Sequence, residues 1–181
     1  MDLREAPDEW LMRKAACGHA LALEILMRRY HRPLHAFILH QGAADPEDLY
    51  QETWIKAARA APSFDTRKKF STWLFAIALN VCRDAHRAGR ARPQTVGLEE
   101  VADLPAAEAT DADSQLALRE CLAALPPQDR ELLALRYYRG MKESEVAEIL
   151  SIPVGTVKSR SHQAVQRLKD ILKQRGMDND F

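Results

Sequence analysis

The sequence predicts an all-α protein of two small helical domains joined by a flexible acidic linker, with a helix-turn-helix in the C-terminal domain. Apolar residues recur at helical spacing along most of the 181-residue chain, and no stretch alternates as a half-buried strand would. The periodicity lapses over residues 93–113, which are rich in Pro, Ala, Asp and Glu. Near the C-terminus, two amphipathic segments meet at a short corner. We therefore expect domains at residues 1–92 and 114–181.

The N-terminal domain is predicted to contain four helices, of which the first two lie between about Glu9 and Gln41. The third starts at Pro46, because Asp45 can act as its N-cap and proline suits the first helical position, where an N–H would have no partner. It ends near Ala60. A loop from Ser63 to Lys69 then leads into the fourth helix.

The fourth helix is predicted from about Ser71 to Ala88. Trp73, Ile77 and Val81 recur along it at the spacing of one helical face. We therefore expect this face to pack in the core, which makes Trp73 a core residue.

The C-terminal domain is predicted to start at Ser114 and to break at Pro126-Pro127. Three helices follow, at about Gln128 to Tyr138, Lys142 to Leu150 and Val154 to Lys173. The last two meet at Ser151-Ile-Pro153, which is long enough only for a sharp turn.

The last helix is predicted to have a polar outer face at its start, because Val157 and the later apolar residues point to the core. The residues on or near that face are Thr156, Lys158, Ser159, Arg160, His162 and Gln163. Hydroxyl and N–H groups can bind phosphates, and Lys and Arg can reach guanine edges in the major groove. The plain alternative is a helical hairpin with a solvated basic face. The sharp corner and the small Ala147 in the preceding helix favour DNA binding.

Charge is segregated along the chain, although the formal net charge is zero. Residues 64–93 contain seven Lys or Arg against two acids, a net charge of +5. Residues 94–120 contain one Arg against seven acids, a net charge of −6. Residues 154–175 contain six Lys or Arg against one acid, a net charge of +5. Two basic blocks separated by an acidic one favour a polyanionic partner.

Several functional classes find no support in the sequence. The longest apolar run, Trp73 to Leu79, is much shorter than the roughly 20 residues of a membrane span, so we expect no membrane insertion. No Gly-rich phosphate loop, metal-spaced cluster or nucleophile motif is present, so we expect no cofactor, no metal and no enzymatic activity. Three scattered cysteines without a CxxC pair are typical of a cytoplasmic protein with reduced thiols.

Both halves of the chain resemble the extracytoplasmic-function (ECF) sigma factors of the sigma-70 family. Leu125-Pro126, Asp129-Arg130-Glu131 and Thr156-Val-Lys-Ser-Arg160 resemble region 4 of that family. Asp45-Pro-Glu-Asp-Leu-Tyr-Gln-Glu-Thr-Trp54 and Phe70-Ser-Thr-Trp-Leu-Phe-Ala-Ile-Ala-Leu-Asn80 resemble region 2. A related C-terminal segment occurs in response regulators, which would be DNA-binding regulators without polymerase affinity. A receiver domain, however, needs alternating strands and helices, and residues 1–92 indicate helices only.

The resemblance implies an alternative sigma factor that binds core RNA polymerase and directs it to promoter DNA. Its third helix would bind the polymerase through Asp48, Gln51, Glu52 and Lys56. Its last helix would read the minus-thirty-five element through the outer-face residues named above. The loop and the fourth helix would recognise and melt the minus-ten element through Phe64, Lys68, Lys69, Asn80, Arg83 and Arg87.

The resemblance also implies control by an anti-sigma protein, which could hold the chain at the inner membrane face. For the acidic linker two interpretations remain open: a flexible spacer, or a nucleic-acid mimic in the RNA exit path of the polymerase. In the helix-turn-helix, His162 and Gln163 differ from the residues common at these positions in the family. Lys142 stands where a Ser or Thr cap is common. The promoter sequence is therefore left open.

Overall fold

The computed structural model describes residues 3–43, 45–89 and 120–176, which form helices and turns without a strand among them. The N-terminal domain contains α1 (Asp8–Ala16), α2 (Ala20–His40), α3 (Pro46–Ala60) and α4 (Phe70–Arg87). The C-terminal domain contains α5 (Pro127–Leu133), α6 (Glu143–Leu150) and α7 (Val154–Gln174). Short 3-10 turns lie at Leu3–Glu5 and Ala61–Ser63, and a π-helical turn, Ala134–Tyr138, follows α5. The predicted linker at residues 93–113 lies outside the described residues.

The predicted start of α3 is confirmed. The side chain of Asp45 accepts a hydrogen bond from the backbone N–H of Asp48 at 2.9 Å, and Pro46 occupies the first helical position. One of the helix's unpaired N–H groups is thereby satisfied by the N-cap, as the sequence predicted. Acidic Glu47 and Asp48 in the first turn add a favourable interaction with the positive end of the helix dipole.

The N-terminal domain is organised around the ring of Phe70, the first residue of α4. This side chain is fully buried and its ring contacts those of Tyr30 on α2, Trp54 on α3 and Phe64 in the preceding loop, with ring centroids 5.3, 6.4 and 6.0 Å away. The backbone N–H of Phe70 donates to the carboxylate of Glu9 on α1 at 3.0 Å. All four helices and the loop therefore meet at one residue.

The buried face of α4 is wider than the sequence predicted. Leu74 and Ala78 are fully buried, as is Val81, whereas Trp73 and Ile77 lie half-buried at the edge of the core. The difference arises because α4 is contacted on two sides, by α2 and α3 of its own domain and by α6 of the C-terminal domain. A periodic pattern in one helix cannot reveal a second neighbour.

The C-terminal domain contains the predicted helix-turn-helix, formed by α6 and α7. Val146 of α6 and Val157 of α7 are fully buried where the two helices pack, and Ala147 is 7% exposed. The corner turns through Ser151, whose φ of 54° and ψ of 45° lie in the left-handed region. Lys142 is the N-cap of α6, and its N–H donates to the Glu145 carboxylate at 2.8 Å, one half of a capping box.

The two domains pack against each other along α4 and α6, and their buried apolar residues form one continuous cluster. The guanidinium of Arg139, from the C-terminal domain, lies 4.7 Å from the centre of the Phe75 ring on α4. Across the described ranges, no helix is both long and apolar enough to cross a membrane.

Truncation of the central ring should destabilise the whole N-terminal domain. Phe70→Ala removes a fully buried aromatic side chain, so we expect the free energy of unfolding to fall by about 3–5 kcal/mol. Chemical denaturation followed by circular dichroism measures the change. Leu21→Ala is the control, because Leu21 is 54% exposed and its removal should cost less than about 0.5 kcal/mol. Equal losses in the two variants would contradict the central position of Phe70.

The cysteines should differ sharply in reactivity, because the thiolate is the reacting form. Cys17 is exposed, whereas Cys82 is 2% exposed, and burial together with the nearby charge of Glu131 raises the pKa of its thiol to about 12. At pH 8 a thiol reagent should therefore label Cys17 in the folded chain, and Cys82 only after unfolding. Mass spectrometry of labelled peptides locates the label, and Cys17→Ser should remove the fast phase. Rapid labelling of Cys82 in the folded chain would contradict this burial.

Candidate nucleic-acid interface

The structure brings the residues predicted to read the minus-thirty-five element together on one surface, at the start of α7. Lys158, Ser159, Arg160, His162 and Gln163 are exposed and Thr156 is half-buried. Val157, Ser161 and Ala164 are buried on the opposite side and hold the helix against its domain. The Ser159 hydroxyl donates to the Thr156 carbonyl at 3.1 Å. The cationic face is thus open to a ligand, while the helix behind it is held in place by packing.

The loop before α4 presents its two lysines to the C-terminal domain. The Lys68 ammonium lies 2.6 Å from the Glu148 carboxylate, and the Lys69 ammonium lies 2.7 Å from that of Glu145. Both acids belong to α6. Each hydrogen bond raises the pKa of the lysine, so both side chains remain charged around neutral pH.

Arg83 on α4 also pairs across the domain boundary. Its Nε donates to the Glu131 carboxylate at 3.0 Å and its Nη2 donates at 2.6 Å, which is the two-bond geometry that guanidinium groups form with carboxylates and phosphates. Glu131 is 7% exposed, so this pair is better shielded from solvent than the two lysine pairs.

The other predicted minus-ten residues are more scattered. Asn80 is exposed on α4, and Arg87 is paired with Asp84 one turn away on the same helix. The Phe64 ring is 9% exposed and packs 4.9 Å from the ring of Trp73. In this arrangement Phe64 is part of the core edge, so contact with a base would require the ring to turn outwards.

The predicted polymerase-binding residues share one side of α3. Asp48 and Gln51 are exposed, Glu52 is half-buried, and the Lys56 ammonium lies 3.1 Å from Glu52 and 3.5 Å from Asp84. Ile55 is 51% exposed on this same side and was not predicted from the sequence. Helical spacing from Asp48 and Gln51 could have revealed it, since positions three, four and seven apart share a face.

Three acidic partners of these cations were also not predicted from the sequence: Glu131, Glu145 and Glu148. They lie in α5 and α6, at positions that look like ordinary polar positions of a helix. The local sequence pattern therefore gave no indication that they pair with basic residues of the N-terminal domain. Among the residues that the structure describes, no three His, Cys, Asp or Glu side chains are grouped so as to hold a metal ion.

Comparison with family models shows which class of protein each half of the chain resembles. The family model "Sigma-70 region 2" matches residues 26–92, and "Sigma-70, region 4" matches residues 115–168. The N-terminal match excludes a receiver domain, because the described residues of that half form helices and connecting turns without strands and that half matches region 2 instead. The chain thus has the two helical modules of a transcription initiation factor of the sigma-70 type.

Individual relatives show to which group of sigma-70 proteins the chain belongs. The chain is 33% identical over 171 residues to the ECF RNA polymerase sigma factor SigM of Mycobacterium tuberculosis, covering 93% of this chain and 86% of the relative. CnrH, solved in complex with the cytosolic domain of CnrY, matches with a TM-score of 0.74 and 28% identity, covering 92% of this chain and 97% of CnrH. The sigma factor RpoE of Bartonella quintana, solved with the anti-sigma factor NepR, matches with a TM-score of 0.68 and 28% identity, covering 83% and 96%. The chain belongs to the ECF RNA polymerase sigma factors.

The face on α7 generates a prediction that separates base reading from simple charge. Lys158→Ala should relax base preference, because Lys158 lies on the exposed first turns that suit the major groove. Lys173→Ala, near the other end of α7, should at most flatten the salt dependence of binding, by a log-log slope of about 0.9 per lost phosphate contact. Selection of duplexes by the full chain from a randomised pool, at several salt concentrations, measures both. Equal effects of the two substitutions would argue against a reading role for Lys158.

Proposed function

We propose that this sigma factor binds core RNA polymerase through α3, reads the minus-thirty-five element with α7, and recognises and opens the minus-ten element with α4 and the loop before it. The observation that supports this proposal most strongly is the open cationic face at the start of α7 on a chain whose other domain matches region 2. One surface for DNA and another for a protein are what a promoter-targeting factor requires. The proposed role asks for no bond chemistry from the chain itself.

The α3 face has the composition of a protein-binding surface. Exposed Ile55 lies among Asp48, Gln51 and Lys56, so an apolar centre is surrounded by polar and charged side chains. Interfaces commonly combine such a centre with a polar rim. We assign Ile55 to the polymerase contact together with the four residues predicted from the sequence.

The proposed recognition of the minus-ten element is supported by three basic side chains and by the side-chain amide of Asn80. Lys68, Lys69 and Arg83 would contact the phosphates of a separated strand, and exposed Asn80 can both donate and accept hydrogen bonds to an unstacked base. Arg87 would extend the cationic surface if its guanidinium left Asp84 and bound a phosphate of the strand instead. Phe64 remains a candidate for stacking.

Control by an anti-sigma protein is part of the proposal. RpoE of Bartonella quintana, whose fold this chain shares over most of its length, was solved with its anti-sigma factor. A protein with this role acts on RNA polymerase, and we therefore place it in the cytoplasm. The acidic linker lies outside the described residues, and both interpretations of it stay predictions.

Transcription in vitro tests the proposal directly. The full chain, added to core polymerase and fragmented genomic DNA, should produce specific transcript starts, which sequencing of the transcripts identifies. If no specific starts appear and no complex with core polymerase forms, the proposed function is wrong. If a complex with core polymerase forms but no specific transcript starts appear, the part of the proposal that concerns promoter recognition is wrong.

Replacement of Ile55 tests the α3 surface separately. Ile55→Ser should weaken binding to core polymerase by about fivefold or more, the effect expected for a residue at the centre of an interface. Leu21→Ser is a matched control, because Leu21 is an equally exposed apolar residue on α2, 54% against 51%. Titration of labelled core polymerase with each variant measures the affinity. Equal affinities for the two variants would exclude Ile55 from the contact.

A further inference from the structure

The first turn of α4 is capped by a residue of another helix. Lys69 occupies the N-cap position and makes no side-chain hydrogen bond to the helix. The first N–H groups of a helix have no partner within it, and a side-chain oxygen commonly accepts one of them. In this chain the oxygen belongs to Glu9 of α1, whose carboxylate accepts the N–H of Phe70 at 3.0 Å across 61 positions of sequence.

Glu9 is itself held in place through the residue before it. The carboxylate of Asp8 accepts hydrogen bonds from the Tyr30 hydroxyl at 2.5 Å and from the Arg29 guanidinium, and both donors belong to α2. Arg29 also donates to the backbone carbonyl of Ala6 at 2.8 Å. The start of α1 is therefore fixed to α2, and Glu9 reaches α4 from a firm support.

The loop from Ser63 to Lys69 is held elsewhere by its own contacts. At its first end the Phe64 ring is buried against neighbouring rings of the core. In its middle the side chain of Asp65 accepts the backbone N–H of Arg67 at 3.0 Å, which is a local turn typical of Asp. The second end, at the peptide that enters Phe70, is the one that α1 holds.

The hydrogen bond and the buried ring fix different parts of Phe70. The ring contacts hold the side chain in the core, whereas the hydrogen bond fixes the orientation of the peptide that joins Phe70 to Lys69. That peptide sets the direction in which the chain runs through exposed Lys69 and Lys68. The charge of Glu9 also acts on this end of the loop. The pKa of Lys69 is raised chiefly by its hydrogen bond with Glu145 and to a smaller extent by Glu9.

We propose that Glu9 is a positioning residue for recognition of the minus-ten element. By accepting the N–H of Phe70, Glu9 fixes the second end of the loop, and with it the position of the loop's cations relative to the strand. The assignment of this loop to the minus-ten strand rests on the proposed function. The selectivity of the loop for bases then depends on α1, a helix that the sequence pattern did not connect with DNA.

Loss of the hydrogen bond should loosen the loop while the ring contacts keep the domain folded. An uncapped first turn can fray, and fraying at Phe70 lengthens the loop and widens the range of positions that its lysines occupy. Base discrimination requires groups placed accurately against base edges, whereas the attraction between a basic loop and phosphates falls off slowly with distance. We therefore expect Glu9→Ala to lower selectivity more than affinity.

Competitive transcription by the full chain with core polymerase measures this selectivity. Each reaction contains a promoter found in the transcription experiment above and the same promoter with one base changed in its minus-ten element. The ratio of the two transcripts is the readout, because a smaller amount of folded protein lowers both transcripts alike. For Glu9→Ala the ratio should fall about fivefold, as expected for the loss of one typical helix cap. The corresponding ratio for a base change in the minus-thirty-five element should stay unchanged.

Two further variants separate positioning from general effects of charge. Glu9→Gln keeps a side-chain oxygen that can accept the N–H of Phe70, so its minus-ten ratio should stay within about twofold of the parent's. Glu24→Ala is the control. It removes the same charge from an exposed position on α2, where the partner of Glu24 is Arg28 on the same helix, and it should leave both ratios unchanged.

Amide hydrogen exchange of the free chain, followed by NMR, tests the contact itself. The N–H of Phe70 should exchange about fivefold faster in Glu9→Ala than in the parent, and Glu9→Gln should restore most of its protection. Unchanged exchange in Glu9→Ala would overturn the capping role.

The transcription ratios decide whether the cap matters for recognition. Faster exchange with an unchanged minus-ten ratio would overturn the positioning role, as would an equal loss in the minus-ten and minus-thirty-five ratios. If Glu9→Gln loses selectivity as Glu9→Ala does, the hydrogen bond is not the cause. Absence of specific starts with the parent chain is instead a failure of the proposed function and removes the assignment to the minus-ten element. The exchange measurement needs no polymerase and still decides whether Glu9 holds the loop.

Discussion

The contact of Phe70 with the surrounding aromatic rings and with Glu9 is the interaction on which the rest of the structure depends. It brings together α2, α3 and the loop before α4, and Glu9 of α1 satisfies the first N–H of α4 in place of a cap from the chain immediately before it. Because Phe70 directly follows Lys68 and Lys69, its burial also sets where the two lysines leave the core. An aromatic contact that stabilises the domain therefore positions the cations at its surface.

From that position the lysines meet α6, and Arg83, four turns further along α4, meets Glu131. The consequence is an asymmetry between the two proposed DNA-binding surfaces. The face of α7 is open, whereas three of the cations on the loop and α4 are paired with acids of the other domain. Nucleic acid that binds these cations as proposed would have to replace the carboxylates.

Most of the local structure could be predicted from the sequence. Asp45 and Pro46 mark the start of α3 through hydrogen bonding and ring geometry that involve only near neighbours, and the structure confirms both. The corner between α6 and α7 is likewise local. The face of α4 was predicted incompletely, because Trp73 and Ile77 follow the helical period but lie at the edge of a core that extends towards α6. Ile55 was also missed, although its helical spacing from Asp48 and Gln51 places it on the same face of α3.

The sequence by itself determined the helical class, the helix-turn-helix, the segregation of charge and the residues of the α7 face, because these depend on the spacing of side chains within a segment. Only the tertiary structure decided which charges meet. Lys68 and Glu148 are 80 positions apart, and Arg83 and Glu131 are 48 apart. No periodicity links residues at such separations; their contact is set by how α4 and α6 pack around Phe75 and Arg139. The same packing leaves the face of α7 exposed and pairs Lys68, Lys69 and Arg83 with acids of the C-terminal domain.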